Sequence, residues 1–264
     1  MIPTSDVRLH DFTVVSNEPV AQGVYRLVMS SPELARTIEP GQFMNLAVPG
    51  DASHLLRIPL SFAGADAEAG TIELVYAVVG EGTERLARMA PGSTSTVVGP
   101  CGHGWRVPAQ VGRCLLVAGG VGAPPVVAAT RMLAQAGFAC DVIIGARTAE
   151  LLWGEDAALA AGASEVHIAT DDGSAGTHGF TTDVMRRLVA ERAYACVLTC
   201  GPTPMMAGVA GIAAEAGIAC QASLERMMTC GFGACSTCNV ALVAGGYASC
   251  CKDGPVFDAA EVAW

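Results

Sequence analysis

The sequence predicts a β + α/β protein with an N-terminal antiparallel β-barrel, a parallel-sheet α/β domain and a short cysteine-rich C-terminal segment. Three observations support this. Up to about residue 106, short β-rich runs alternate with Gly, Pro, Asn and Asp. Beyond it, apolar strands alternate with helical stretches. After Gln221 the periodicity fades into a region rich in Cys and Gly. The predicted parts are residues 1–106, 107–222 and 223–264.

The barrel is predicted from β-rich segments that are short and evenly spaced, a pattern typical of small antiparallel barrels. These segments are Phe12–Ser16, Val24–Met29, Phe43–Val48, Ile72–Val79 and Thr94–Val98. One helix is predicted to interrupt them, from Gly82 to Met89, because Pro91-Gly92 follows and would end it.

The α/β domain is predicted from nearly continuous apolar strands, which are expected where helices cover both faces of a sheet. The predicted strands are Cys114–Ala118, Asp141–Ala146, Glu165–Ala169 and Ala195–Cys200. The helical stretches between and after them are Pro125–Ala136, Thr182–Glu191 and Pro204–Ala216. Alternation of this kind implies a parallel sheet.

Charge and apolar patterning exclude some classes of function. The net charge is −10 and no basic run occurs, which argues against nucleic-acid binding. Residues 1–12 lack the basic start and apolar block of a signal peptide. The least polar stretch, Cys114–Thr130, is interrupted by glycines and prolines, so no membrane insertion is expected. We therefore expect a cytoplasmic protein.

The most specific motif is a group of cysteines near the C-terminus. Cys230, Cys235 and Cys238 form C-x4-C-x2-C, and Cys250-Cys251 follows, which is the plant-type spacing of a [2Fe-2S] cluster. Small residues between the cysteines allow the backbone to curl around sulfide and direct its amides at sulfur. In a reducing compartment such a group indicates metal or redox chemistry, not disulfides.

Two alternatives remain open from spacing alone. Four thiolates also suit tetrahedral zinc, although zinc ribbons usually pair two short knuckles. Adjacent residues in an extended chain point opposite ways, so either Cys250 or Cys251 serves as the fourth ligand, and spacing does not choose. The remaining cysteines in apolar runs are interpreted as small buried hydrophobes. They are Cys114, Cys140, Cys196 and Cys220.

Two segments of the barrel suit a flavin nucleotide. In Arg57–Ser61, an arginine is available to pair with a diphosphate and a serine hydroxyl with a flavin ring nitrogen. Gly80-Glu81-Gly82-Thr83 precedes the predicted helix, where backbone amides favour phosphate. An ordinary turn with a threonine cap would explain the second segment equally well.

The α/β domain opens with a strand, the glycine-rich turn Gly119-Gly120-Val121-Gly122 and a helix, the context that a dinucleotide site requires. A later strand ends in Cys200-Gly201-Pro202, at the edge where ligands collect in open α/β sheets. Cys200 would there lie against a nicotinamide, while a helix start explains Gly201-Pro202 without any function. Arg147, after the second strand, is a candidate for binding a 2′-phosphate.

The order of these parts resembles the ferredoxin–NADP reductase superfamily and, more narrowly, the electron-transfer subunits of dihydroorotate dehydrogenase B. The resemblance covers nearly the whole chain and is most specific in its C-terminal part. There, Ser223-Leu224-Glu225 precedes the cysteines and Cys251-Lys252-Asp253-Gly254-Pro255 follows them. In that family the last cluster ligand directly precedes x-Asp-Gly-Pro, which implies Cys251 and not Cys250. The short Gly-rich segment Asn239–Ser249 departs from the family.

The resemblance implies a set of site residues. For FAD it implies Arg57, Pro59, Leu60, Ser61, Val75, Tyr76, Ala77, Gly82 and Thr83; for NAD, Gly119, Gly120, Gly122, Gly201 and Pro202; for the [2Fe-2S] cluster, Cys230, Cys235, Cys238 and Cys251. Cys200 is the candidate catalytic residue. Thr170–Ser174 matches a further recurrent segment, expected on the nicotinamide side, and Gly99–Gly104 matches a loop near the flavin.

The implied function is electron transfer in pyrimidine biosynthesis. A catalytic dihydroorotate dehydrogenase subunit with its own flavin would oxidise dihydroorotate, and electrons would pass through this chain's cluster and FAD to NAD⁺. The expected assembly is a heterotetramer with two subunits of each kind, in which the partner docks near the cluster.

Two alternatives keep parts of this interpretation. The same module serves hydrogenase, sulfur reductase and ferredoxin–NAD(P) oxidoreductase complexes. A cluster-based redox sensor would hold the cluster but show no NADH-dependent dye reduction.

Overall fold

The structure, a computed structural model, describes residues 7–48 and 56–264. The first of its two large sheets is antiparallel, has seven strands in the order β4-β3-β7-β1-β2-β6-β5, and curls into a half-barrel. Its strands are β1 (Arg8–Ala21), β2 (Val24–Ser30), β3 (Phe43–Leu46), β4 (Ile58–Ser61), β5 (Gly64–Asp66), β6 (Thr71–Ala77) and β7 (Thr94–Cys101). The predicted antiparallel N-terminal sheet is thereby confirmed.

This sheet encloses a core to which its strands contribute alternate side chains. Phe12 and Val14 of β1 point inward with Leu27 and Met29 of β2, as expected for strands with one buried face. These four side chains are almost completely buried, so their packing fixes the positions of the strands.

The prediction of one helix in this part was wrong, because the described residues hold two. They are α1 (Pro32–Thr37) and α2 (Glu81–Ala87). Helix α1 begins with Pro32 at its first turn and buries Leu34 and Ala35. A helix of this length shows too little 3.6-residue periodicity for detection, although its proline start was visible.

The second sheet has the order β11-β10-β9-β8-β12-β13-β16, and all its pairings are parallel except that of β16 with β13. Its strands are β8 (Arg113–Gly119), β9 (Ala139–Ala146), β10 (Glu165–Thr170), β11 (Thr177–His178), β12 (Cys196–Cys200), β13 (Cys220–Ser223) and β16 (Val256–Asp258). The four predicted strands correspond to β8, β9, β10 and β12.

Helices cover both faces of this sheet. They are α3 (Ala123–Gln135), α4 (Glu155–Ala160), α5 (Thr181–Glu191) and α6 (Thr203–Glu215). Side chains of β8 alternate between the two faces: Leu115 and Val117 pack with α5 and α6, while Leu116 packs with α3. This two-sided burial explains the continuous apolar sequence of the strand.

The segment after β13 carries the cysteine motif as an excursion from the second sheet. It contains a small hairpin of β14 (Asn239–Ala241) and β15 (Tyr247–Ser249), then α7 (Cys250–Asp253) and the returning strand β16. Val240 and Phe257 are buried in the same core as α5 and α6. The excursion is therefore packed onto the α/β part of the molecule.

No helix among the described residues combines the length and the apolar character needed to cross a membrane.

Candidate functional site

The cysteine motif brings four thiols together as two pairs. Cys235 lies beside Cys230, and Cys251 lies beside Cys238, close enough for each neighbour to shift the pKa of the thiol. Three backbone amides also donate to these sulfurs: Ala234 N to Cys230 Sγ at 3.3 Å, Gly233 N to Cys251 Sγ at 3.1 Å and Cys251 N to Cys238 Sγ at 3.3 Å. Paired thiols with amides aimed at sulfur suit a binuclear iron-sulfur cluster.

The described residues include no group of three or more His, Cys, Asp or Glu side chains placed to hold a single metal ion. Tetrahedral zinc needs four ligands that converge on one point, whereas a [2Fe-2S] cluster takes two thiolates at each iron. Four thiols arranged as two pairs fit this second ligand set.

The thiols differ in acidity because their surroundings differ. The Thr237 hydroxyl, which donates to Cys235 Sγ at 3.2 Å, lowers the pKa of this exposed thiol to about 6. Burial, reinforced by the contact with Cys238, raises the pKa of Cys251 to about 12. Because metal binding requires the thiolate, the buried ligand would lose its proton only as metal enters.

Cys250 and Cys251 are adjacent but face different surroundings. Cys250 is fully buried, and its Sγ donates to the carbonyl oxygen of Leu224 at 3.2 Å. Cys251 accepts the Gly233 amide inside the motif. The geometry thus favours Cys251 as fourth ligand, the choice that spacing alone left open.

The two barrel segments that suit a flavin nucleotide lie side by side. Strand β4 carries Pro59 and Leu60, and a Cβ built on Gly82 at the start of α2 would come 3.2 Å from Cδ1 of Ile58. Arg57 donates to the carbonyl oxygen of Thr96 at 2.9 Å and to its hydroxyl at 3.0 Å, which anchors the start of this strand.

The Thr83 hydroxyl caps the helix that follows. It accepts the Gly80 amide at 3.1 Å and the Val79 amide at 2.9 Å, and it donates to the Gly80 carbonyl at 2.9 Å. The N-cap is Gly80, and Thr83, the third residue of the helix, bonds back to it, so the simpler interpretation of a threonine N-cap is wrong in its detail. This arrangement leaves the Gly82 and Thr83 backbone, not the hydroxyl, as the part that could meet a phosphate.

Strand β6 presents different residues to its two sides. Val75 and Ala77 line a cavity that faces the second sheet. The Tyr76 ring points into the half-barrel, where it stacks on Tyr25 at 6.2 Å between centroids and donates to Asn17 Oδ1 at 3.1 Å. Burial raises the pKa of its hydroxyl. Val75 and Ala77 therefore present side chains to the cavity, whereas Tyr76 can face it only with its backbone.

The cavity has a volume of about 670 Å³ and lies between β6 and the carboxyl ends of β8, β9 and β10. The predicted nicotinamide residues that line it are Gly119, Gly120 and Pro202. Arg147 and Asp171 supply charge on one side of it. A pocket at the carboxyl edge of a parallel sheet is the expected place for a nucleotide.

Gly122, Gly201 and Cys200 lie beneath this lining. A Cβ on Gly122 would overlap the Cys200 carbonyl, and Gly201 has a φ of +151° beside the Gly119 backbone. Close approach of the glycine turn to the end of β12 therefore requires both glycines. Cys200 is fully buried, and burial, followed by the charge of Glu225, raises the pKa of its thiol. Its side chain is not part of the described lining, so its catalytic role stays a prediction.

The cavity lining also includes residues that were not predicted, among them Trp153 and Met205. Trp153 follows β9 and packs against Val24 and Val75 of the half-barrel, and Met205 lies in the first turn of α6. Both follow carboxyl ends of parallel strands, a position that would have identified them as candidates. The Gln22 amide also donates to the Glu150 carbonyl at 2.9 Å, so the loop before Trp153 joins the two sheets.

Known proteins resemble the chain throughout its length. The iron-sulfur cluster binding domain of dihydroorotate dehydrogenase B matches residues 225–263. The chain is 37% identical over 262 residues to the dihydroorotate dehydrogenase B (NAD(+)) electron transfer subunit of Geobacillus sp. (strain WCH70), covering 97% of this chain and 99% of that one. The subunit of the same name from Fusobacterium nucleatum is 33% identical over 261 residues, covering 97% and 99%.

Solved structures give the same picture. An NADH-dependent reduced ferredoxin–NADP oxidoreductase studied for flavin-based electron bifurcation superposes with a TM-score of 0.87 and 31% identity, over 96% of this chain and 89% of that one. A ferredoxin–NADP⁺ reductase from Neisseria gonorrhoeae, solved with FAD and NADP, has a TM-score of 0.64 and 16% identity, over 79% and 92%. The second likeness concerns the fold alone.

Proposed function

Because the chain belongs to the family of dihydroorotate dehydrogenase B (NAD⁺) electron transfer subunits, we propose that it passes electrons from a catalytic subunit's flavin through a [2Fe-2S] cluster and FAD to NAD⁺. The observation that carries this is the order of three adjoining sites. The cysteine motif adjoins β3, β3 pairs with the flavin-motif strand β4, and β6 lines the cavity at the second sheet.

Each site has its own residues in this proposal. Cys230 and Cys235 would hold one iron, and Cys238 and Cys251 the other, as their pairing supports. The Arg57–Ser61 strand and the Gly82–Thr83 backbone would hold FAD, and the glycine turns of β8 and β12 would hold NAD. The boundaries 1–106, 107–222 and 223–264 are proposed as the corresponding parts.

FAD supplies the conversion between one-electron and hydride chemistry when it is bound. The chain's own residues do the positioning. Val75 and Ala77 line the cavity from the half-barrel and Gly119-Gly120 line it from the second sheet, so these residues would hold the flavin and nicotinamide rings. Trp153 closes this cavity between the two sheets and would exclude water from the rings.

A separate catalytic subunit would dock over the cysteine motif. From Met227 to Cys251 the sequence contains no charged residue, although the chain has a net charge of −10. Met227 is 78% exposed and Phe232, within the motif, is 53% exposed. A segment without charge that exposes large apolar side chains is typical of a protein interface. We propose a heterotetramer with two subunits of each kind.

We also propose a cytoplasmic location. All eleven cysteines are unpaired as thiols, including the buried Cys114, Cys140, Cys196 and Cys220. Free thiols in this number suit a reducing compartment.

A related assignment is supported by the likeness to the ferredoxin–NADP oxidoreductase. The same cofactors would then serve a different partner complex. Purification of the tagged chain from its own cells separates the two: a dihydroorotate dehydrogenase catalytic chain should co-purify under the main proposal, and another oxidoreductase subunit under the alternative.

The central test is anaerobic stopped-flow absorbance of the reconstituted chain mixed with NADH. We expect flavin bleaching first and cluster reduction after it. A cluster spectrum without flavin, or flavin that NADH does not reduce, would contradict the relay and favour a sensor.

The ligand assignment is tested by two matched substitutions of neighbouring cysteines. Cys251→Ser should abolish or strongly alter the [2Fe-2S] electron paramagnetic resonance (EPR) signal, because it removes a ligand, while NADH still bleaches the flavin. Cys250→Ser changes the same atom one residue away and should leave the signal in place. The opposite result would make Cys250 the ligand.

A further inference from the structure

A buried amide from the half-barrel meets the cysteine motif beside the flavin-motif strand β4. Asn45 lies in β3 and is 3% exposed. Its backbone pairs with Pro59 of the flavin-motif strand on one side and with Val98 of β7 on the other. The residue therefore lies in the strand next to β4, which is proposed to hold the flavin.

The side chain of Asn45 reaches towards the cysteine motif. A Cβ built on Gly231 would overlap Nδ2 of Asn45, so the backbone beside Cys230 wraps directly around this amide. Gly231 has a φ of +80°, which also favours glycine there. The close approach is possible because Gly231 has no side chain.

The amide is held in place from the other side. Asn45 Nδ2 donates to Cys101 Sγ at 3.7 Å, and the Cys101 thiol itself donates to the Val98 carbonyl at 3.6 Å. Cys101 is fully buried. A thiol is a weak acceptor, whereas a carboxamide carries two N–H donors, and burial makes each donor costly to leave without a strong partner. The amide therefore has donor capacity to direct at the Cys230–Gly231 segment.

We propose that Asn45 is a positioning residue for electron transfer, whose side-chain amide fixes the Cys230–Gly231 segment against the flavin-motif strand and directs its dipole at the cluster. This inference rests on the proposed cofactors. N–H dipoles near cluster sulfurs stabilise the reduced state, which carries one more negative charge, and so raise the midpoint potential.

The test replaces Asn45 by Leu, which keeps the volume and removes both N–H groups. We expect a lower midpoint potential and altered EPR g-values of the reduced cluster. Cluster reduction after NADH mixing should slow by about threefold to tenfold, the value of one hydrogen bond, while flavin bleaching keeps its rate.

Asn17→Leu is the matched control. Asn17 is an amide of the same half-barrel, in β1, two strands from β3, and it donates to the carbonyls of Leu86 at 2.8 Å and Met89 at 3.2 Å. Its replacement should lower the free energy of unfolding but leave the cluster potential and EPR signal unchanged. Equal shifts in both variants would reduce Asn45 to a stabilising residue and overturn the inference.

A second variant guards against misfolding of the first. Gly231→Ala keeps the amide and displaces the loop from it, so the potential should move in the same direction. If both variants fold and the potential is unchanged, Asn45 does not position the cluster. An absent cluster signal, or a flavin that NADH does not bleach, in the unsubstituted chain would instead refute the proposed function.

Discussion

At their amino ends the parallel strands of the second sheet are joined by charged side chains, whereas at their carboxyl ends the same strands meet in glycines. Asp141 of β9 is fully buried and accepts hydrogen bonds from Arg113 of β8, from Arg192 at 3.1 Å and from Tyr194 at 2.8 Å. At the other end, the Gly122 turn contacts the β12 backbone directly.

The difference separates two tasks within one sheet. A buried carboxylate with several partners fixes the relative positions of segments that are distant in sequence, at the end where no ligand is needed. Glycines allow backbones to approach where a flat cofactor must enter. We infer that the charged end maintains the geometry on which the open end depends, and substitutions at each end test this.

The largest effect is expected at the charged end. Asp141→Asn keeps the shape and removes the charge, and it should lower the free energy of unfolding by about 3 kcal/mol, towards the lower end for broken buried pairs because both guanidinium groups are partly exposed. Chemical denaturation followed by circular dichroism measures it. The flavin and cluster spectra of the folded fraction should be unchanged. If the variant loses cofactor while its free energy of unfolding stays the same, the division of tasks is wrong.

The open end should respond differently. Gly122→Ala would place a methyl group against the Cys200 carbonyl and should cost about 2 kcal/mol of stability, as overpacking does. Because the turn lines the approach to the cavity, the KM for NADH should rise in dye-reduction assays even where the protein is folded.

Gly211→Ala is the control for that substitution. Gly211 lies in α6 with open space where its Cβ would be, and alanine there should stabilise the helix by about 0.5–1 kcal/mol without changing the KM. A rise in KM for this variant as well would show that the assay reports stability and not the glycine turn.

The smallest effect concerns pH at the charged end. A hydrogen bond from Arg192, at 2.9 Å, lowers the pKa of Glu165 below its usual 4.5. A lowered folded-state pKa contributes stability above the unfolded value and loses it as the pH falls from about 4.5 towards the folded value. Glu165→Gln should flatten the fall in melting temperature over that window, because it lowers the melting temperature slightly at neutral pH and leaves it nearly unchanged at acid pH, where the carboxylate is protonated. An unchanged slope would contradict the pairing.

Much of the fold could be predicted because buried strands and helices leave a local pattern of apolar residues in the sequence. Strand β8 reads as an apolar run from Cys114 to Ala118, and the structure extends it by one residue at each end. The charged end could not be predicted, because Asp141, Arg113 and Arg192 come from three separate segments and nothing local relates them. Helix α1 was missed for its shortness.

The site residues were easier to predict where the spacing of residues indicates a ligand set. They were harder to predict where the direction of a side chain determines whether it reaches the site. The cysteine spacing identified the thiols, and the structure brings them together in pairs. Strand alternation separates Tyr76 from Val75 and Ala77, a distinction that a three-residue motif conceals. Asn45 has no motif at all, because its role arises from contact with a loop far along the chain.

The returning strand β16 has a consequence for the integrity of the whole sheet. It pairs antiparallel with Gln221, Ala222 and Ser223 of β13 and so supplies the last strand of the second sheet. Without residues 224–264, the backbone N–H and C=O groups on that side of β13 would be left for another extended chain to pair with. The cysteine-bearing excursion thus also protects the edge of β13 from pairing with another molecule. A chain that ends at residue 223 is expected to aggregate even if it retains its flavin.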